Sequence, residues 1–250
     1  MKKLFTALIM LAISIPVLAE EQFSVSTGFD FSSGKYGNAT STDILYIPVT
    51  GKYDSDNMTL KLTVPYIRIT GPGGVVQGVG QVGTAAGATK TTNSGLGDVV
   101  ASADYSFYAD DSLELDVVGK VKFGTADANK ELGTGKNSYS AQLDGYYTLD
   151  KTTIFATAGY KIYDAPIGYA MNNVPYGTIG TSQKLSGSTS AGAMLDVAKS
   201  ANTASADQVE ATVYISHKIA SKLKIQANVM KGFANGSPDF GGGAMITSYF

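Results

Sequence analysis

The sequence predicts an all-β fold: a transmembrane, antiparallel, up-and-down β-barrel of about twelve strands with both termini on the periplasmic side. Three observations predict it. Apolar and polar residues alternate with period two through most of the chain. The connections between the alternating runs are short and long in turn, as in barrels with tight periplasmic turns and longer external loops. Charged residues make up only 16% against the ~25% of typical domains, while glycine is abundant at 29 residues.

Taken in order, the first segment is a leader. "MKKLFTALIMLAISIPVLAEEQ" carries two lysines, an uncharged apolar stretch and small residues before Glu20, which predicts a secretory signal peptide over 1–19 and a barrel over 20–250. The alternative, an N-terminal membrane anchor, needs an apolar run of ~20 residues, longer than this one. Strands are expected at 22–33, 43–53, 58–70, 96–108, 112–124, 138–149, 152–163, 176–185, 189–198, 208–219, 222–233 and 240–250. The clearest is "SLELDVVGKVKF", where Leu113, Leu115, Val117, Val121 and Phe123 share one parity and Glu114, Asp116, Lys120 and Lys122 the other. "QVEATVYISHKI" and "KLKIQANVM" repeat the pattern, whereas "GTIGTSQKLSG" alternates poorly.

"YDSDN", "YADDS", "LDKT", "KLSGST" and "IASK" read as the tight turns. Between them fall "SGKYGNAT", the stretch 71–94, "ADANKELGTGKN", "YDAPIGYAMNNVPY", "KSANTASAD" and "NGSPD" as external loops. An antiparallel sandwich is the competing architecture, but the alanine and glycine at its apolar positions would fill a two-sheet core badly. A closed barrel leaves no backbone group unpaired in hydrocarbon. Phe29, Phe31, Tyr53, Tyr66, Tyr105, Phe107, Tyr139, Tyr147, Phe233, Phe240 and Phe250 then form the interfacial girdle, without tryptophan.

Pro65 in "TLKLTVPYIRIT" interrupts this regularity, because proline removes a ladder donor. A bulge there would switch parity, with Ile67 and Ile69 outside and Arg68 inside. An unbulged strand would leave Arg68 outward, snorkelling near the loop end.

Parity places Asp30, Lys61, Arg68, Asp98, Asp104, Glu114, Asp116, Lys120, Lys122, Asp144, Lys161, Glu210, Lys218 and Lys224 on the lumen wall. So mixed a lining argues against a single-sign selectivity ring. Pairing through "YADDS" sets Asp98 opposite Lys122. Tyr46, Tyr146, Phe155, Tyr163 and Tyr214 also point inward, spread over the wall. Twelve strands at ~4.8 Å spacing and ~40° tilt give a backbone diameter on the order of 24 Å, leaving roughly 10 Å inside the side chains. The first strand follows the cleavage site closely, so no N-terminal plug is expected, while the loop at 71–94 has the length to fold inward.

Other chemistries find little support. "GVGQVG" matches the dinucleotide-binding glycine fingerprint formally, but no helix opens at its third glycine, so it reads as a flexible external loop. His217 lacks the serine two residues on that marks outer-membrane phospholipases, since Ile219 stands there; it reads as an interfacial residue. "YDSDN" has neither the spacing nor the distal glutamate of a calcium loop. One histidine and no cysteine leave no multi-histidine or thiolate metal site, no disulfide and no lipid-anchored cysteine. No enzymatic activity, cofactor or metal is expected. Loss of Lys2 and Lys3 with the leader widens the excess of acidic over basic side chains, which speaks against nucleic acid.

"VPYIRITGPGGV" followed by "SGLGDVVASADYSF" resembles the outer-membrane proteins assigned to the meta-pathway of phenol degradation (MetA-pathway), which are transporter-like barrels. The resemblance rests on a Pro- and Gly-rich strand end and a Ser-Gly-x-Gly-Asp entry at Ser94, Gly95, Leu96, Gly97 and Asp98. It implies passage of small, aromatic or hydrophobic compounds. The expected function is thus a passive channel in the outer membrane of a Gram-negative cell, with lipid, the barrel-assembly machinery and a small solute as partners. A closed barrel acting through its external loops is the alternative. Phe250, ending "GAMITSYF", resembles the terminal signal by which such barrels are recognised for assembly, although Ser248 replaces the usual aromatic or apolar residue two before the end.

Overall fold

Two-residue periodicity becomes a continuous antiparallel ladder in the computed structural model, which describes residues 22–82, 89–166 and 170–250. The expected leader lies outside those residues. The strands are β1 (Gln22–Gly34), β2 (Thr42–Ser55), β3 (Met58–Gly71), β4 (Val75–Val76), β5 (Gly80–Gln81), β6 (Thr91–Leu96), β7 (Val99–Ala109) and β8 (Leu113–Phe123). They continue as β9 (Ser138–Leu149), β10 (Thr152–Tyr163), β11 (Val174–Lys184), β12 (Thr189–Ala198), β13 (Gln208–Ala220), β14 (Leu223–Gly232) and β15 (Phe240–Tyr249). β6 and β7 pair in succession with β3 and make one broken stave, while β4 and β5 form a separate ribbon. Pairing of β1 with β15 then closes an all-β antiparallel barrel of 12 strands.

Side chains divide as parity requires. Leu62, Leu143, Ile179, Val213 and Val229 point outward and are each more than half exposed, 52% to 61%. In water such a band would forgo ~1.5–3 kcal/mol per side chain relative to burial, so the face calls for lipid. The eleven expected girdle aromatics all lie on this outer parity.

The expected strands at 138–149, 152–163 and 189–198 match β9, β10 and β12 at both ends. The stave expected at 96–108 is longer and broken, with β6 reaching back to Thr91. The bulge expected at Pro65 is absent from β3, where Pro48 faces Pro65 in an unshifted register with β2. The irregularity sits on the facing stave. Leu96 pairs with Tyr66 and Val100 with Thr63, so one extra residue is accommodated around Gly97 and Asp98. Gly97 N–H donates to the Pro65 carbonyl at 2.8 Å, and a Cβ on Gly97 would collide with the Pro65 ring and Ile67. Since β3 keeps its parity, Ile67 and Ile69 are inside and buried, and Arg68 is outside and exposed beside Leu45 and Ser94.

The β1–β15 seam is thin. Gly28 of β1 and Gly241, Gly242 and Gly243 of β15 lie along it, and a Cβ on Gly28 or Gly243 would run into the facing main chain. Rings hold its two ends: Phe23 against Phe250 at 5.9 Å and Phe31 against Phe240 at 6.3 Å.

Candidate functional site: the lumen wall and its mouth

At the end of the barrel that carries the longer loops, the inner face of β2 and β3 is apolar. Ile44 and Tyr46 of β2 and Ile67 and Ile69 of β3 form one buried cluster with Val75 of β4 and with Tyr36, Ala126 and Leu132 from loops. A second cluster joins Val76 and Val79 of the β4–β5 ribbon to Val174 and Ala201, with Tyr163 and Met171 packed against it. The ribbon therefore crosses the mouth from the β3 side toward β11 and the loop after β12. Asn202 Nδ2 donates to the Gln81 carbonyl at 2.8 Å and Asn38 Nδ2 to Gln81 Oε1 at 2.6 Å. Gly74 N–H donates to Glu131 Oε2 at 3.0 Å, tying the ribbon to the loop before β9. Left-handed backbone at Gly73, Gly74, Gly78 and Gly80 permits the tight course. The "GVGQVG" stretch is thus inward-packed as far as Gln81, not an outward loop; Gly83 lies outside the described residues. Burial pushes the Tyr36 phenol up to about 12.

Away from the mouth, register arranges the ionisable residues in rows. Lys52, Lys61, Ser102, Lys120, Ser140 and Lys161 follow one another as direct cross-strand partners from β2 to β10. A second row runs Ser106, Asp116, Asp144, Thr157, Thr178, Asp196 and Glu210 from β7 to β13. On β8 the two rows lie four residues apart, Lys120 and Asp116, or roughly 13 Å along the strand. Because staves tilt against the barrel axis, a row perpendicular to them climbs. The basic row starts near the short turn after β2 and ends near the loop after β10; the acidic row climbs likewise from β7–β8 to β12–β13.

Hydrogen bonds cross from one row to the other. Lys120 Nζ donates to Gln142 Oε1 at 2.7 Å, and Gln142 Nε2 donates to both Asp144 oxygens at 2.7 and 2.8 Å. Thr157 donates to Asp144 at 2.5 Å, Thr178 to Asp196 at 2.6 Å, and the Tyr176 hydroxyl to Gln142 Oε1 at 2.9 Å. Asp98, buried at 6% exposure, pairs with Lys122 and accepts the Ala126 N–H at 3.0 Å. Their contact forms although Val100, not Asp98, stands directly opposite Lys122, two residues from the expected register.

Most of the expected wall residues lie on the inner parity. Asp30, Lys61, Asp98, Asp104, Glu114, Asp116, Lys120, Lys122, Asp144, Lys161, Glu210 and Lys224 do so, and Lys218 does so at the exposed rim by the short turns. Arg68 is the correction: with β3 unbulged it stands on the outer face. Lys52, Asp54 and Asp196 also line the wall, yet parity reading missed them. Lys52 and Asp54 follow a stretch apolar on both parities, "ILYIPV", and Asp196 sits in the small-residue strand "TSAGAMLDVA". Their signal was position relative to Tyr53 and Leu195, not local contrast. His217 faces outward near the short turns, its Nδ1 2.9 Å from Thr189 Oγ1. Among the described residues no group of histidine, cysteine and acidic side chains is arranged to hold a metal.

No protein-family model matches the chain, and no curated protein matches its sequence. Solved structures do. An outer membrane channel from Pseudomonas putida F1 is similar at 13% identity and a TM-score of 0.73, over 95% of this chain and 97% of that one. The KdgM porin is similar at 11% identity and 0.56, over 91% and 99%. The translocator domain of autotransporter NalP from Neisseria meningitidis is similar at 14% identity and 0.56, over 93% and 89%. At such identities the likeness is one of fold, that of an outer-membrane barrel.

Proposed function

We propose that the protein is an outer-membrane channel for the passive passage of small molecules, with its inner wall as the path. One observation carries this reading: two rows of opposite charge run the length of an inner face whose outer counterpart is apolar. A wall built only to close a barrel needs no such charges, since burying them without partners costs several kcal/mol each unless water fills the space. The channel and porin among the similar structures support the same reading. Solutes with aromatic or hydrophobic surface are in keeping with the meta-pathway resemblance of the 64–75 and 94–107 segments. On this reading the short-turn end, which carries Gln22 and Phe250, faces the periplasm, and Phe250, whose N–H donates to the Phe23 carbonyl at 2.9 Å, would be read by the assembly machinery before the seam closes. Reconstitution in planar bilayers tests the proposal: folded protein should conduct, and absence of both conductance and solute flux overturns it.

The ribbon across the mouth favours a second reading, a closed barrel acting through its loops. Deleting 75–92 separates the two. A channel gains conductance on deletion; a closed interaction barrel loses partner binding and conducts in neither form.

A further inference from the structure

The loop end of the basic row holds an ammonium with aromatic neighbours and no counter-charge. Lys161 Nζ lies 5.6 Å from the Tyr163 ring centroid and 5.7 Å from that of Tyr176. Among the described residues no carboxylate lies within ion-pairing distance of it. Its neighbours in charge are otherwise engaged: Lys122 is paired with Asp98 and Lys120 donates to Gln142. Both lysines remain within Coulombic reach of Lys161, so the surroundings repel a further cation and attract an anion. The nearest part of the acidic row does not compete, because Asp144 stands opposite Thr157, four residues or roughly 13 Å along β10 from Lys161.

The surroundings also specify what the anion is attached to. Val174 stands directly across from Lys161, and Tyr163 packs on the cluster of Val76, Val79 and Val174. The Tyr176 hydroxyl is committed to Gln142, so a polyol would meet few free partners there. We propose that Lys161, Tyr163 and Tyr176 form a loading site for organic carboxylates carried on an aromatic body, the carboxylate on Nζ and the ring against the tyrosines. This deepens the channel reading by naming a solute class; Lys120 and Lys61 supply the onward positions along the same row, while Lys52 beyond them is paired with Asp54 at 2.8 Å.

The test uses the full folded barrel in detergent, with benzoate binding followed by saturation-transfer NMR and by its block of the KCl current. Benzoate should bind, and galacturonate, acetate and benzyl alcohol should bind at least about tenfold more weakly. Lys161→Gln should weaken benzoate at least about tenfold, Lys161→Arg should retain it, and Lys231→Gln, on the outer face, should change nothing. Lys161→Met, which keeps the stem and its packing, serves if the glutamine variant fails to fold. Unchanged benzoate affinity in the folded Lys161→Gln or Lys161→Met barrel overturns the site, as does galacturonate or benzyl alcohol binding as well as benzoate. Current without benzoate binding rejects the site and keeps the channel; benzoate binding without current does the reverse.

Discussion

The inner wall of β2–β3 toward the loops and the inner wall of β8–β10 share one barrel and one parity, yet their chemistry is opposite. The first presents Ile44, Tyr46, Ile67 and Ile69; the second presents Lys120, Lys122, Gln142, Asp144 and Lys161. What differs is what each wall faces. The β4–β5 ribbon and the loop carrying Leu132 lie over the first and exclude water, while the second keeps its charges in a hydrogen-bonded network. In a barrel, inward does not mean polar: loop packing decides it locally.

The contrast is sharpest if the apolar wall is made polar. Val75 and Val79 are 1% and 2% exposed, and replacing both with aspartate should drive the ribbon out of the mouth, since each unpaired buried charge costs several kcal/mol. Single-channel conductance should then rise several-fold with the barrel still folded; an unchanged current would mean that the ribbon obstructs nothing. Next in size is Asp98→Asn, which strands Lys122 and weakens the bond to the Ala126 N–H, loosening the 124–137 segment by ~1–3 kcal/mol. Hydrogen exchange at Ala126 reads that loss, and a rate equal to the parent's would remove Asp98 as the tie between the two walls.

A comparable effect separates neighbours on β3. Arg68→Ala should change stability by no more than ~0.5 kcal/mol, because the side chain is exposed on the outer face, whereas Ile67→Ala should cost ~2–5 kcal/mol. Denaturant unfolding in detergent measures both, and equal costs would restore the bulge at Pro65. Smallest is the pH response of Tyr36. Its phenol is pushed up to about 12 by burial, so its contribution is complete below the ordinary tyrosine value near 10 and is lost as pH rises from there through about 12. Ultraviolet titration of the parent against Tyr36→Phe should show one phenol ionising late; its absence would place Tyr36 in water.

Sequence periodicity carried the architecture because the outer face is uniform. Lipid demands apolar residues at every second position, so strands as regular as β8 and β13 announced their bounds and parity. Where inner and outer faces are both apolar, as in "ILYIPV", alternation vanishes and Lys52 and Asp54 went unseen. Pro65 showed a different limit. Its missing donor marked an irregular ladder, but a ladder has two sides, and the glycine at 97 on the partner absorbed the extra residue more easily. The charge rows could not be read at all from single strands. They exist only in register, which depends on the irregularities around Gly97 and between Ser106 and Tyr108.

The glycine-lined seam between β1 and β15 has a mechanical meaning. From Gly28 to Ser32 one member of each facing pair is glycine or alanine, so lateral cohesion there rests on main-chain hydrogen bonds, with phenylalanine pairs acting as clasps at the two ends of the seam. Such a joint behaves as a zipper: cheap to start from a clasp, quick to run, and indifferent to side-chain fit between its ends. It is the place where a nascent sheet can meet its own far edge inside a crowded membrane without first sorting interdigitated side chains.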